Sequence, residues 1–157
     1  MAGNNNPITI LGAGSWGTAL ALHLARQGQT VRLWSCEIDE VAALLAEREN
    51  TQFLPGYPFP ETIEPTANLA DALSGVNTIL VAVPSVGYRD TLTLMKTLIG
   101  KKTSIICATK GIDAETNQML HEVTAEILGE DHPYAVISGP SFAKEVAAKF
   151  LPEGNED

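Results

Sequence analysis

The sequence predicts an α/β protein in which a doubly wound, mainly parallel sheet carries helices on its faces. Three observations carry the prediction. Short apolar runs alternate with stretches of helical periodicity along most of the chain, the pattern left by buried parallel strands and their crossover helices. A glycine-rich hexamer, Gly12-Ala13-Gly14-Ser15-Trp16-Gly17, stands between the first apolar run and the first helical stretch. Apolar residues make up 45% and charged residues 18% of the 157 positions, a balance that lets one domain bury its own core.

Taken in order, the apolar runs predict strands at Ile8 to Leu11, Val31 to Trp34, Thr78 to Val83, Ser104 to Ala108 and Ala135 to Ser138. Each is short and bounded by turn or polar residues. Between them, Trp16 to Arg26, Glu37 to Glu49, Tyr88 to Leu98 and Asn117 to Leu128 repeat apolar residues at helical spacing, as in Leu20 and Leu24. A weak strand at Thr62 to Glu64 and a short helix at Leu69 to Leu73 complete the expected order. The segment Phe53 to Pro60 holds three prolines and three aromatics, so it is expected as an ordered surface loop. A helical pattern at Ser141 to Lys149 precedes a Pro-, Gly- and acid-rich end. One domain is therefore expected over residues 1–149, with an acidic tail at 150–157.

Charge and cysteine content exclude several classes of function. A formal net charge of -9 does not suit a surface for nucleic acid or anionic membrane, so an anionic ligand has to be met by local cations and N–H groups. The polar, Asn-rich start is unlike a signal peptide, and no apolar run reaches membrane-spanning length; a soluble cytoplasmic protein is expected. Cys36 and Cys107 are far apart, without metal-ligand spacing, and are read as reduced thiols, with no metal site.

The hexamer fits GxGxxG, and its place after a strand and at the opening of a helix is what dinucleotide binding requires. Gly12 is expected to allow the tight turn, Gly14 the approach of a pyrophosphate and Gly17 the close packing of helix on strand, a Rossmann-type arrangement with the phosphates at the helix N-terminus. Ribose recognition belongs at the end of the second strand, in Trp34-Ser35-Cys36-Glu37. Two roles fit Glu37: acceptor for the ribose hydroxyls of NAD, or a carboxylate placed against the helix dipole. Arg32 is the only arginine nearby that a 2'-phosphate could use, and strand alternation does not fix its direction.

Two further turns are expected at the same edge of the sheet. Val83-Pro84-Ser85 breaks its strand at a proline. Lys110, in Thr109-Lys110-Gly111, offers a compact cation for a phosphate or carbonyl oxygen, or is simply solvated. The last strand delivers Ser138-Gly139-Pro140-Ser141, where free amides and the Ser141 hydroxyl suit either an anion or a plain helix cap.

The ordered set Ile10 to Ala21, Phe53-Leu54-Pro55, Val83-Pro84-Ser85, Ala108-Thr109-Lys110-Gly111 and Ser138 to Val146 closely resembles bacterial NAD(P)-dependent glycerol-3-phosphate dehydrogenase, from about Ile8 to Ala148. The resemblance implies hydride transfer between NAD(P)H and dihydroxyacetone phosphate or sn-glycerol 3-phosphate, supplying phospholipid synthesis. It implies that Ser15, Trp16 and Ala143 contact the cofactor, that Lys110 lies between cofactor and substrate, and that Gly139 and Ser141 bind substrate. The family often has a basic or imidazole side chain near Cys36 and Glu37; its absence leaves NAD and NADP both open. Family members continue into a helical substrate domain holding the general acid/base lysine. None of that domain is present here, so no catalytic residue is assigned within this chain. A cloned or natural truncation, or a change of reading frame near residue 149, would account for the end. The chain is expected to bind cofactor without turnover and, with apolar surface uncovered at its last strand, to form a homodimer or otherwise self-associate. The alternatives are a non-catalytic nucleotide-binding module and the cofactor domain of a 3-hydroxyacid-type dehydrogenase.

Overall fold

The computed structural model describes residues 6–138 and 142–148. The elements follow as β1 (Ile8–Leu11), α1 (Ser15–Arg26), β2 (Val31–Trp34), α2 (Ile38–Glu47), β3 (Ile63–Thr66), α3 (Leu69–Leu73), β4 (Thr78–Val81), α4 (Ser85–Met95), β5 (Ser104–Cys107), α5 (Leu120–Leu128), β6 (Tyr134–Val136) and α6 (Ala143–Ala148). The strands form one six-stranded sheet in the order β3-β2-β1-β4-β5-β6, with every pairing parallel. The chain winds outward from β1 to β3, then returns to lay β4 beside β1. That reversal of strand order opens a crevice at the carboxyl ends of β1 and β4, where folds of this class bind ligands.

The two-residue period of the strands divides the core between two faces. Ile10 and its partner Leu80 join Leu20, Ala21 and Ala147 from α1 and α6 on one side. Leu11, Ile79 and Val81 join Leu73, Leu92 and Val123 from α3, α4 and α5 on the other. The buried Thr9 hydroxyl, inside β1, donates to the carbonyl of Ala72.

The expected elements are present, with boundaries moved for identifiable reasons. Helix α4 starts at Ser85 rather than Tyr88, because Pro84 in an extended conformation serves as its N-cap and leaves the next residue helical. Helix α2 ends at Glu47 rather than Glu49: Arg48 turns left-handed at φ 52°. Its guanidinium donates to the carbonyls of Pro60 and Ile63 at 2.8 and 2.9 Å. Helix α5 starts at Leu120 rather than Asn117, since Asn117 has φ 57° and its N–H closes a turn onto the carbonyl of Asp113. Strand β3 runs past Thr62 to Glu64 through Pro65; among the described residues it pairs only with β2, so the missing N–H of proline falls on an edge.

The Phe53 to Pro60 segment forms neither helix nor strand, as expected, but it does more than cover the surface. Leu54 and Phe59 are buried and belong to the core cluster beside α1. The last strand is β6, Tyr134–Val136, slightly earlier than the expected Ala135 to Ser138, and its side chains are largely exposed. The expected acidic tail at 150–157 lies outside the described residues.

Candidate functional site

A cleft of about 650 Å³ occupies the crevice at the carboxyl ends of β1, β2, β4 and β5. Its floor is the turn from β1 into α1. Gly12 has φ 114°, and a Cβ there would lie 2.7 Å from the carbonyl carbon of Ala82; only glycine lets this turn pass beneath the end of β4. Gly17 does not line the cleft. A Cβ on it would come within 1.9 Å of the Gly12 oxygen, so its absence lets α1 rise close behind the turn. At Gly14 the same construction meets nothing within 4 Å, leaving the space above its backbone open toward the cleft that it lines. Ser15 and Trp16, in the first turn of α1, are also on the wall. The N–H groups of that turn lack intrahelical partners and carry the positive end of the helix dipole. Such a corner can receive an anion.

The side under β5 brings the expected lysine to the same place. Thr109 donates through its hydroxyl to the carbonyl of Val83 at 2.8 Å, tying the loop after β5 to the turn after β4. Trp16 Nε1 donates to the carbonyl of Ala108 at 3.1 Å, and the Lys110 ammonium lies 5.3 Å from the centroid of the Trp16 ring. Lys110 is thus held at the mouth over an aromatic face. Beyond it, Arg89 and Gln118 hold the loop by a polar knot. Asp113 Oδ2 accepts from Arg89 Nε at 3.0 Å and Nη2 at 2.8 Å, and from the Thr116 hydroxyl at 2.7 Å. Arg89 also donates to Gln118 Oε1 at 2.7 Å. The Thr116 hydrogen bond first, and then the Arg89 guanidinium, hold the Asp113 carboxyl below its ordinary range.

At the end of β2 the cleft is lined by Ser35, Cys36, Glu37 and Glu40. Glu37 is the N-cap residue of α2 but makes no side-chain cap bond. Its backbone N–H donates to Ser35 Oγ at 3.2 Å, and Ser35 in turn donates to the Glu40 carboxylate. Arg32 is engaged elsewhere: its guanidinium donates to the carbonyls of Asp71, at 3.0 Å, and Ser74 at the end of α3, and it is absent from the cleft wall.

The sequence-predicted residues Gly12, Gly14, Ser15, Trp16, Glu37, Lys110 and Ala143 therefore line one cleft. Gly139 and Ser141 lie outside the described residues. Two aromatics on the wall, Phe53 and Phe142, were not expected there. Phe53 carried a usable signal, an aromatic at the head of a proline-rich loop. Phe142 carried only its place beside Ala143. The Arg89–Asp113 pair had no signal, since the two residues are 24 positions apart with no motif linking them.

Comparison with known proteins agrees with this geometry. The chain is 56% identical over 145 residues to glycerol-3-phosphate dehydrogenase [NAD(P)+] of Coxiella burnetii, covering 92% of this chain and 43% of the relative. It is 50% identical over 141 residues to the enzyme of the same name from Thioalkalivibrio sulfidiphilus. The chain thus spans less than half the length of the curated relatives it matches. The crystal structure of the Coxiella burnetii glycerol-3-phosphate dehydrogenase superposes with a TM-score of 0.88 at 55% identity, over 92% of this chain and 44% of that one. A yeast glycerol-3-phosphate dehydrogenase structure, at 24% identity and a TM-score of 0.80 over 93% of this chain and 45% of that one, shares the fold. Residues 7–153 match the family described as NAD-dependent glycerol-3-phosphate dehydrogenase N-terminus, and with its glycine turn, cleft and strand order the chain belongs to that family.

Proposed function

We propose that this chain binds NAD or NADP in the cleft and forms the cofactor-binding part of a glycerol-3-phosphate dehydrogenase. The observation that carries the proposal is the meeting of Gly12 to Trp16, Lys110 and Ala143, from three separate segments, around open space above Gly14. The residues present fit a dinucleotide. Gly14 and the first turn of α1 would take the pyrophosphate, Ser15, Trp16 and Ala143 would bear on the rest of the cofactor, and Glu37 would accept from ribose hydroxyls. The bound cofactor supplies the hydride exchanged with carbon 2 of dihydroxyacetone phosphate or sn-glycerol 3-phosphate. Lys110, at the mouth, would attract the substrate phosphate or polarise its carbonyl oxygen, and Gly139 and Ser141 are assigned to substrate by the family resemblance. The reaction would take place in the cytoplasm and feed phospholipid synthesis.

The same resemblance puts the proton donor for the alkoxide outside these 157 residues. We therefore assign cofactor binding, and not turnover, to these residues. Calorimetric titration with NADH and NADPH, followed by a turnover assay with dihydroxyacetone phosphate, tests both parts. Binding without turnover is expected. Failure of both cofactors to bind would sink the proposal, and turnover by this chain alone would overturn the placement of the proton donor.

A further inference from the structure

Asn50 lies just past the left-handed end of α2 and is 1% exposed. Its side chain is spent entirely on the cofactor corner. Nδ2 donates to the carbonyl of Ala13 at 2.9 Å and to Thr18 Oγ1 at 2.9 Å, while Oδ1 accepts the N–H of Phe53 at 3.1 Å. The backbone carbonyl of Asn50 accepts from Leu54 N–H at 2.9 Å. The amide orientation follows from these partners, because an oxygen in place of Nδ2 would face the Ala13 carbonyl.

The contact with Ala13 fixes more than one atom. The peptide joining Ala13 to Gly14 is planar and trans, so its C=O and N–H point in opposite directions. Asn50 holds the carbonyl inward, away from the cleft. The Gly14 N–H, on a residue that lines the cleft, then points the opposite way. With the peptide turned over, a carbonyl dipole would face an incoming phosphate and the buried Nδ2 would lose a partner. Through Oδ1 the same side chain holds the start of the loop that brings Phe53 to the cleft wall.

We propose that Asn50 is a positioning residue for the cofactor: it aims the Gly14 N–H at the pyrophosphate and couples that donor to the Phe53 wall. This rests on the assignment of the cleft to a dinucleotide. Buried and bonded to Ala13, Thr18 and Phe53, Asn50 acts through Ala13, Gly14 and Phe53.

The test compares Asn50→Ala and Asn50→Asp with the unsubstituted chain, using ADP, adenosine and NADH as ligands. Asn50→Asp is close to isosteric and keeps an acceptor for Phe53 N–H, but it puts an oxygen against the Ala13 carbonyl. Both variants are expected to bind ADP and NADH about tenfold or more weakly, the scale of a lost hydrogen bond to a charged group, with adenosine affinity nearly unchanged. A purely structural role would weaken adenosine and ADP alike. The Gly14 amide resonance supplies a second measurement that needs no variant: it should move strongly on addition of ADP to the unsubstituted chain. Equal losses for all three ligands, or a Gly14 amide unmoved by bound ADP, would overturn the role of Asn50 while leaving the cofactor assignment standing. Absence of ADP and NADH binding by the unsubstituted chain would overturn both.

Discussion

The Lys110 ammonium lies 5.3 Å from the centroid of the Trp16 ring, and the same indole donates through Nε1 to the carbonyl of Ala108, two residues before the lysine. One aromatic side chain from α1 thereby holds both the backbone and the charge of the loop after β5. A cation over an indole at a partly exposed site is worth about 0.5–1 kcal/mol. A double-mutant cycle of Lys110→Ala and Trp16→Leu, read by urea unfolding, should return a coupling of about that size. A coupling near zero would show that the ammonium spends its time elsewhere in solution.

Gly14 and Gly17 should respond differently to one added methyl group. Gly17→Ala places a Cβ 1.9 Å from the Gly12 oxygen, a backbone clash that no rotamer relieves. It should cost about 3 kcal/mol or more, or prevent folding. Gly14→Ala meets open space at φ -72°, so its stability should stay within about 1 kcal/mol of the unsubstituted chain while NADH affinity falls. Urea melts and calorimetry on the pair check both statements. Equal destabilisation by the two substitutions would mean that the turn is not packed as described.

Asp113 should give the fold an acid sensitivity of defined sign. Its carboxyl is held below the ordinary value of 3.8 by the Thr116 hydroxyl and then Arg89. A carboxylate whose folded pKa is depressed contributes stability above its unfolded pKa, and that contribution is lost as pH falls through the folded value. The window therefore runs downward from about 4. Asp113→Asn should lower the melting temperature at neutral pH and flatten its fall through that acid window. A variant whose melting temperature falls with acid as steeply as that of the parent would remove Asp113 as the cause.

Much of this molecule is readable from its sequence because local physics and long-range packing agree there. The run Ile8 to Leu11, the glycines after it and the period of α1 each point to the same strand-turn-helix, and the ends of β4 and β5 follow from apolar runs that stop at Pro84 and Lys110. The helix boundaries are less legible. Arg48 and Asn117 take left-handed conformations, the first bonded to Pro60 and Ile63 and the second closing a turn onto Asp113, and periodicity carries on past both. Asn50 and Asp113 are illegible for a related reason: their importance lies in hydrogen bonds across the fold, and a single polar residue beside a helix looks the same whether it is solvated or buried. Arg32 is open in the sequence, where strand alternation does not fix its direction; its register in β2 and the carbonyls of Asp71 and Ser74 draw it toward α3.

On the proposed cofactor placement, the engagement of Arg32 with α3 predicts a preference for NAD over NADP. The ribose end of the cleft presents Glu37 and Glu40, with Ser35 donating to Glu40, and a 2'-phosphate would meet carboxylates there rather than a guanidinium. NADH should bind more tightly than NADPH, by about tenfold or more on the scale of one like-charge contact. Glu37→Arg should narrow or reverse the preference. Tighter binding of NADPH by the unsubstituted chain would require a cation from outside the described residues and would remove Glu37 as the determinant.

The far edge of the sheet presents a different kind of chemistry. Among the described residues β6 pairs with β5 on one side only, and Val136 and Ile137 are 56% and 39% exposed, with Phe142 at 72%. An open strand edge beside exposed apolar side chains is a template for pairing with another strand. The isolated chain should therefore associate with itself as its concentration rises, a homodimer through this edge being the smallest such assembly. Val136→Lys, which puts a charge on the exposed edge, should reduce that association without reaching the buried core. Light scattering across a concentration series checks both proteins. A clean monomer of the unsubstituted chain at high concentration would end the idea, and association undiminished by Val136→Lys would move the contact to the exposed apolar residues of α4, Val86 and Leu94.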